Sequence, residues 1–211
     1  MGKLIDISVP LHAGLPLWPG SRPVHISRVM DLSRGDEANV SEMEIDVHSG
    51  THMDAPLHFI TNGATTEDVP LEKLVGNCLV VDFTNLKSIS ANDLERAAIP
   101  PDTKRLLFKT DNSKNWGDFS QPFRKNFCAL TLDAAQWIAE RDFLLVGIDG
   151  PSIQMFEDAY DTHIVLLNQQ IVILENLNLI EVESGFAELI CLPLRVSGVE
   201  AVPVRAVLSL S

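Results

Sequence analysis

Four side chains able to hold a metal ion fall within eleven residues, His48-Ser49-Gly50-Thr51-His52-Met53-Asp54-Ala55-Pro56-Leu57-His58. Three of the chain's six histidines are here, together with one acid. Imidazole and carboxylate in combination suit zinc, manganese or iron(II). The segment therefore reads as a metal site rather than as a polar surface loop with incidental histidines. A bound divalent ion would act as a Lewis acid and make water nucleophilic near neutral pH.

The spacing makes a geometric demand. Positions 48, 52, 54 and 58 are all even, so a strand would present all four side chains on one face. A helix would send Asp54 and His58 far round the cylinder from His48 and His52, and Pro56 opposes a helix. A straight strand, however, would set His48 and His52 roughly 13 Å apart. That is too far for one ion, whose bonds to nitrogen and oxygen are about 2.0–2.2 Å. The backbone must bend between them, and Gly50 is where it bends most readily. The spacing predicts strand into Val47, a turn at Ser49-Gly50-Thr51, and an extended stretch through Asp54 that Pro56 ends.

Strands predominate among the elements that must carry this segment. The pattern predicts them over 3–9, 24–30, 42–47, 78–83, 105–109, 127–131, 143–148, 171–174, 187–192 and 202–208. Many are near-continuous apolar, β-branched runs of the kind buried on both faces. Helices are few. Ser90-Ala91-Asn92-Asp93 resembles a capping box opening a helix over 94–98, Asp133 is placed to cap another over 134–141, and 70–74 suits a short third. The polar stretch 112–125 reads as a long loop. The fold class is mixed α/β and strand-heavy.

With 211 residues and 45% hydrophobic content, the chain suits one globular domain, 1–211, with a substantial core. A net charge of −13 disfavours nucleic acid and anionic membranes as partners. No apolar run approaches the roughly 20 residues that cross a bilayer, and Met1-Gly2-Lys3-Leu4-Ile5-Asp6 lacks a signal-peptide core. Cys78, Cys128 and Cys191 are odd in number and sit in apolar runs, so they read as buried, reduced core residues of a cytoplasmic protein.

Two further donors lie outside the cluster. His163 precedes the apolar run Ile164-Val165-Leu166-Leu167, and Glu175 closes Ile171-Val172-Ile173-Leu174. A carboxylate ending a buried strand needs a partner, and a second metal position would provide one. Read singly, His163 is a loop or strand-edge histidine and Glu175 an exposed strand end.

These residues together resemble the cyclase-like metal-dependent hydrolases, a family that includes bacterial kynurenine formamidase. His48–His58 matches the family motif His-x-Gly-Thr-His-x-Asp-x-Pro-x-His at every fixed position. Leu17-Trp18-Pro19-Gly20, Gly147-Ile148-Asp149-Gly150-Pro151-Ser152, Ile173-Leu174-Glu175-Asn176-Leu177 and Pro203-Val204-Arg205-Ala206-Val207 resemble further family segments. The resemblance implies a strand-rich swivelling β/β/α domain with a mixed sheet core. It implies His48, His52 and Asp54 as metal ligands, Asp54 bridging two ions, and His163 and Glu175 completing the second position. Zinc is the ion it favours, one or two per subunit, with manganese the other choice. His58 becomes the proton donor and acceptor, and Trp18 a substrate contact.

The implied reaction is hydrolysis of a small amide. An arylformamide such as N-formyl-L-kynurenine, cut to kynurenine and formate, is the first choice, and a cyclic amide such as isatin the alternative. The chain departs from the formamidase pattern at Gly150, Thr162 and Glu200, which bears on substrate rather than on the metal scaffold. A homodimer or homotetramer is implied as well. Two readings from other classes stand beside these. His48, His52 and Asp54 also match the two-histidine, one-carboxylate set of non-haem iron(II) oxygenases, and the site would equally suit a non-catalytic metal-binding module.

Overall fold

The computed structural model describes residues 2–117, 119 and 122–210. In chain order the strands are β1 (Lys3–Asp6), β2 (His25–Met30), β3 (Val40–Glu44), β4 (His52–Asp54), β5 (Val75–Asp82), β6 (Arg105–Lys109), β7 (Leu145–Ile148), β8 (Val172–Glu175), β9 (Gly185–Pro193) and β10 (Ala201–Leu210). The helices are α1 (Leu71–Leu74), α2 (Ala91–Arg96), α3 (Leu132–Ala139) and α4 (Asp161–Asn168). Eight strands form one sheet in the order β1-β10-β4-β8-β7-β6-β5-β9, and a further β9–β10 pairing closes it into a barrel-like core. The sheet is mixed, as the sequence predicts: β5 to β8 run parallel, while β4, β9 and β10 pair antiparallel. The parallel strands are linked through α2, α3 and α4, as parallel neighbours require crossover connections.

The sheet separates two apolar layers. Met53, Leu107, Leu174, Leu189, Cys191, Ala206 and Leu208 pack in the cluster enclosed by the strands. Ile148 and Ile173 join Leu94, Ile138, Leu166 and Leu167 from the helices in the other. Cys78, Cys128 and Cys191 are free and buried, and burial pushes the Cys78 and Cys128 thiols up to about 12. Among the described residues no helix is long and apolar enough to cross a membrane. β2 and β3 form a separate two-stranded sheet.

Several predicted elements come out differently. Strand does not reach Val47, because β3 ends at Glu44 and Asp46 starts the turn early. Its side chain accepts from His48 N at 3.0 Å and its carbonyl from Ser49 N at 2.9 Å, a local closure typical of Asp. No strand forms over 127–131. That stretch is apolar because it is buried, and it pairs only through Leu130, which bridges Ile89 and Gln154. Ser90 caps α2 as predicted, with Asp93 completing the box, but the helix begins at Ala91. Thr131, not Asp133, is the cap residue of α3. Asp133 instead accepts from Ala91 N at 3.0 Å, joining α3 to α2. The stretch 112–125 is not wholly loop: a 3-10 helix spans Asp111–Gly117, and positions 118, 120 and 121 lie outside the described residues.

Gly147 in β7 shows how tightly the layers close. A Cβ there would stand 2.7 Å from Leu107 Cδ2, 2.8 Å from Leu177 Cδ1 and 3.2 Å from Leu174 Cβ. Gly147→Ala is therefore an overpacking change, expected to destabilise by about 1–3 kcal/mol. Urea unfolding monitored by circular dichroism reads this, and an unchanged midpoint would refute it.

Candidate metal centre

The bend lies at Gly50, which has φ +65°. A Cβ there would also meet Leu11 Cδ2 at 2.8 Å, so backbone and space both call for glycine. Thr51 fastens the turn. Its hydroxyl accepts from Val9 N at 2.8 Å and donates to the Asn176 carbonyl at 2.5 Å. Asn176 in turn donates Nδ2 to the Gly50 carbonyl at 3.0 Å. Asn176 has φ +56°, a region in which asparagine is enriched.

Sheet register does the next step. β4 lies between β10 and β8, and antiparallel pairing sets His52 directly opposite Glu175. Directly opposed residues share a face, and Asp54, two residues on, shares it too. The result is a buried cluster. His52 Nε2 stands 3.4 Å from Glu175 Oε2 and 3.5 Å from Asp54 Oδ1, and His48 Nδ1 stands 3.2 Å from the same Asp54 oxygen. His48 and His52 thus share a partner across the turn.

His163 arrives from a helix, not from a strand edge or loop. Thr162, His163, Leu166 and Leu167 form the buried face of α4, a stripe at helical spacing. His163 Nε2 lies 3.1 Å from Glu175 Oε1 and 3.8 Å from Asp54 Oδ2. Ile153 N donates to that Glu175 oxygen at 2.7 Å, so Glu175 is no exposed strand end. His58 sits in a 3-10 turn, Pro56–His58, opened by the proline. Its ring centroid is 4.3 Å from that of His48 and 5.8 Å from that of His163. Gly63 packs against this turn so closely that a Cβ would stand 2.6 Å from the Pro56 carbonyl carbon.

The donor set fits a divalent cation. His52 Nε2 and both Asp54 carboxylate oxygens are buried without a hydrogen-bond partner. Ligand atoms at about 2.0–2.2 Å from a tetrahedral ion stand about 3.3–3.6 Å from one another, close to the separations found here. Two three-donor groupings occur among the described residues: His48, Asp54 and His58, and His52, Asp54 and Glu175. Asp54 belongs to both, as a bridging carboxylate would. His58 also stands within reach of an ion, where the sequence reading assigns it to proton transfer alone.

Two carboxylates buried together demand positive charge. Burial drives the His48 imidazolium down, but the Asp54 carboxylate 3.2 Å away and the charges of Glu175 and Asp46 outweigh it and raise His48 to about 9. Burial and the repulsion from Glu175 push Asp54 up, yet His48 and His52 hold it below the usual carboxylate range. Burial likewise opposes ionisation of Glu175, and His163 and His52 overcome it. His58 differs: burial, with His48 and His163 beside it, lowers its pKa against the pull of Asp54. The shift favours its neutral form near pH 7.

The cluster floors a cavity of about 310 Å³ whose walls include Leu17, Trp18, Phe59, Pro151 and Tyr160. Trp18 packs edge-on to Phe123 at 5.4 Å and tilted on Phe156 at 4.9 Å, and is 38% exposed. Phe59 stacks on Tyr160 at 4.9 Å. Sequence reasoning missed Phe59 and Tyr160, although Phe59 follows the motif directly. It also missed Gln154, for which no spacing signal exists.

A cation entering this centre competes with the proton on His48. Metal affinity should therefore fall as pH drops from about 9, with release of at least one proton at pH 7. Calorimetric titration with Zn²⁺ in two buffers of different ionisation heat measures the release, and identical heats would contradict it.

Comparison with known proteins agrees with the geometry. Residues 5–155 match the family model described as "Putative cyclase". Cyclase-like protein 3 of Arabidopsis thaliana is 37% identical over 214 residues, covering 98% of this chain and 79% of that protein. A solved structure titled a potential metal-dependent hydrolase with cyclase activity superposes with a TM-score of 0.86 at 31% identity, over 99% of this chain and 98% of its own. Isatin hydrolase A from Ralstonia solanacearum shares the fold, with a TM-score of 0.85 at 23% identity over 99% and 92% of the two chains. Both the sequence motif and the closed sheet that displays it are those of a known group, and this chain belongs to the cyclase family.

Proposed function

We propose that this chain is a metal-dependent hydrolase of small aromatic amides, with His48, His52, Asp54, His163 and Glu175 as metal ligands and His58 as the proton carrier. The observation that carries the reading is the contrast between His58 and two of the other histidines. His52 Nδ1 is held by the Gly50 carbonyl at 2.9 Å, and His163 Nδ1 by Gln154 Oε1 at 2.8 Å. Each has one nitrogen committed and the other turned to the cluster, as metal-ligating histidines are usually arranged. No hydrogen bond among the described residues ends on the His58 ring, so that ring is unencumbered.

A bound divalent ion supplies Lewis acidity at the amide carbonyl and a water deprotonated near neutral pH. The chain's own residues do the rest. His58 lines the cavity and its lowered pKa favours the neutral ring, so it can take a proton from the attacking water and return it to the leaving nitrogen. Trp18 and Phe59 offer ring edges and faces to an aryl group, the contact aromatic pairs prefer. The Gly50 carbonyl and Gln154 keep the His52 and His163 rings oriented, and aromatic walls give the cavity an apolar side.

For the substrate, an arylformamide such as N-formyl-L-kynurenine is the first reading. One observation favours the second, a neutral cyclic amide such as isatin, the substrate that the name of isatin hydrolase A gives. No lysine or arginine occurs among the described residues lining the cavity, so an α-carboxylate finds no counter-charge there. Steady-state kinetics of the metal-loaded protein on both compounds decides between them, and no turnover of any aryl amide would overturn the hydrolase reading.

Two substitutions separate the roles. His58→Ala should keep the metal and lower the chemical rate by about 10²–10⁴-fold. Asp54→Ala should lose metal at both positions, because its carboxylate faces His48 and His52 through Oδ1 and His163 through Oδ2. Elemental analysis beside single-turnover rates tests the pair, and full activity in His58→Ala would exclude His58 as proton carrier.

A further inference from the structure

We infer that Gln154 is a positioning residue of the metal centre: its amide oxygen fixes the ring of His163 so that Nε2 faces Asp54 and Glu175. The inference rests on the metal-centre reading proposed above.

Gln154 and His163 are 3% and 4% exposed, and Gln154 Oε1 accepts from His163 Nδ1 at 2.8 Å. An amide could in principle present either end, but this one has a direction. Gln154 Nε2 points to the Asp158 carbonyl at 3.4 Å, a group that only accepts. The oxygen end therefore falls to His163, and Nδ1 must carry the proton. Nε2, which stands 3.1 Å from Glu175 Oε1, is then the nitrogen that gives its proton up and offers its lone pair when a cation binds.

The backbone around Gln154 is equally constrained. Leu130 N donates to the Ile153 carbonyl at 2.9 Å, and Leu130 bridges Gln154 in parallel. Ile153 N holds Glu175 Oε1 at 2.7 Å. Two consecutive residues thus hold a histidine from α4 and a glutamate from β8 in one register. Neither α4 nor β8 sets that register by itself.

The test is Zn²⁺ titration of the full chain, followed by calorimetry, with wild type beside Gln154→Met and Gln154→Glu. Gln154→Met removes the acceptor at similar volume. It should weaken the second equivalent of zinc about 10–100-fold, with a circular dichroism spectrum like that of wild type. Gln154→Glu keeps an acceptor oxygen and should bind within about threefold of wild type, the magnitude separating it from a generic packing loss. Wild-type affinity in the Met variant, or an equal loss in both variants, would overturn the inference. Where the Met variant does not fold, the zinc-loaded wild type decides by ¹⁵N spectroscopy of its histidines: a His163 Nδ1 without a proton overturns the assignment, and a protected Nδ1–H supports it. Wild type that binds no zinc would instead remove the metal-centre reading itself, a distinct outcome.

Discussion

Two carboxylates, Asp54 and Glu175, are held on one face of adjacent strands and out of water, and the rest of the structure answers to that constraint. Burying one carboxylate is costly, and burying two side by side adds their repulsion. The register of β4 against β8 leaves no way to separate them. A partner has to come to them, and the fold brings imidazole from three directions. His48 and His52 come from either side of the Gly50 turn, and His163 comes from the buried face of α4. A centre of this composition is stabilised by any cation that replaces the imidazolium protons. Metal affinity and stability are then coupled in one set of groups.

The surrounding architecture works to keep that centre rigid. The Gly50 carbonyl accepts from both His52 Nδ1 and Asn176 Nδ2, and Thr51 ties the same turn to β8 through the Asn176 carbonyl. The turn and the strand bearing Glu175 therefore move as one body. Closure of the sheet through β9 and β10 reinforces this, since β10 pairs with β4 along residues Ala201 to Pro203 and with β9 beyond them. His58 stands apart from the lattice. It is carried on a short turn after Pro56, packed by Gly63, and its ring is free of hydrogen bonds to described residues. A ligand gains from being locked, whereas a proton carrier must change protonation state. The proposed division of labour between locked and unlocked histidines rests on that chemical difference.

Much of the centre was legible before any coordinates because its donors are local. Within His48–His58 the glycine marks the bend, alternation the short strand His52–Asp54 and the proline its end, whereas the strand expected before the bend stops at Glu44. Glu175 was legible as an acid at the end of a fully apolar run, where an unpartnered charge is improbable on energetic grounds. The element carrying His163 was not. Four apolar residues after it are too few to distinguish a strand from a helix by periodicity, and α4 wins because its crossover has to connect β7 to the parallel β8. The stretch 127–131 failed for a related reason. Its apolar character reports burial, and burial against α3 and the sheet looks the same in sequence as pairing within the sheet.

The sequence by itself determined which candidate donors stand close along the chain and how the backbone must bend to gather the first of them, because those demands are met within a few residues by glycine, proline and alternation. Tertiary structure decided the rest. Only the register of β4 against β8 places His52 opposite Glu175, and only the docking of α4 on the sheet delivers His163. Only packing between distant segments sets Gln154, a residue without any motif of its own, beside that histidine. Contacts between residues distant in sequence depend on packing geometry, which residue spacing along the chain does not encode.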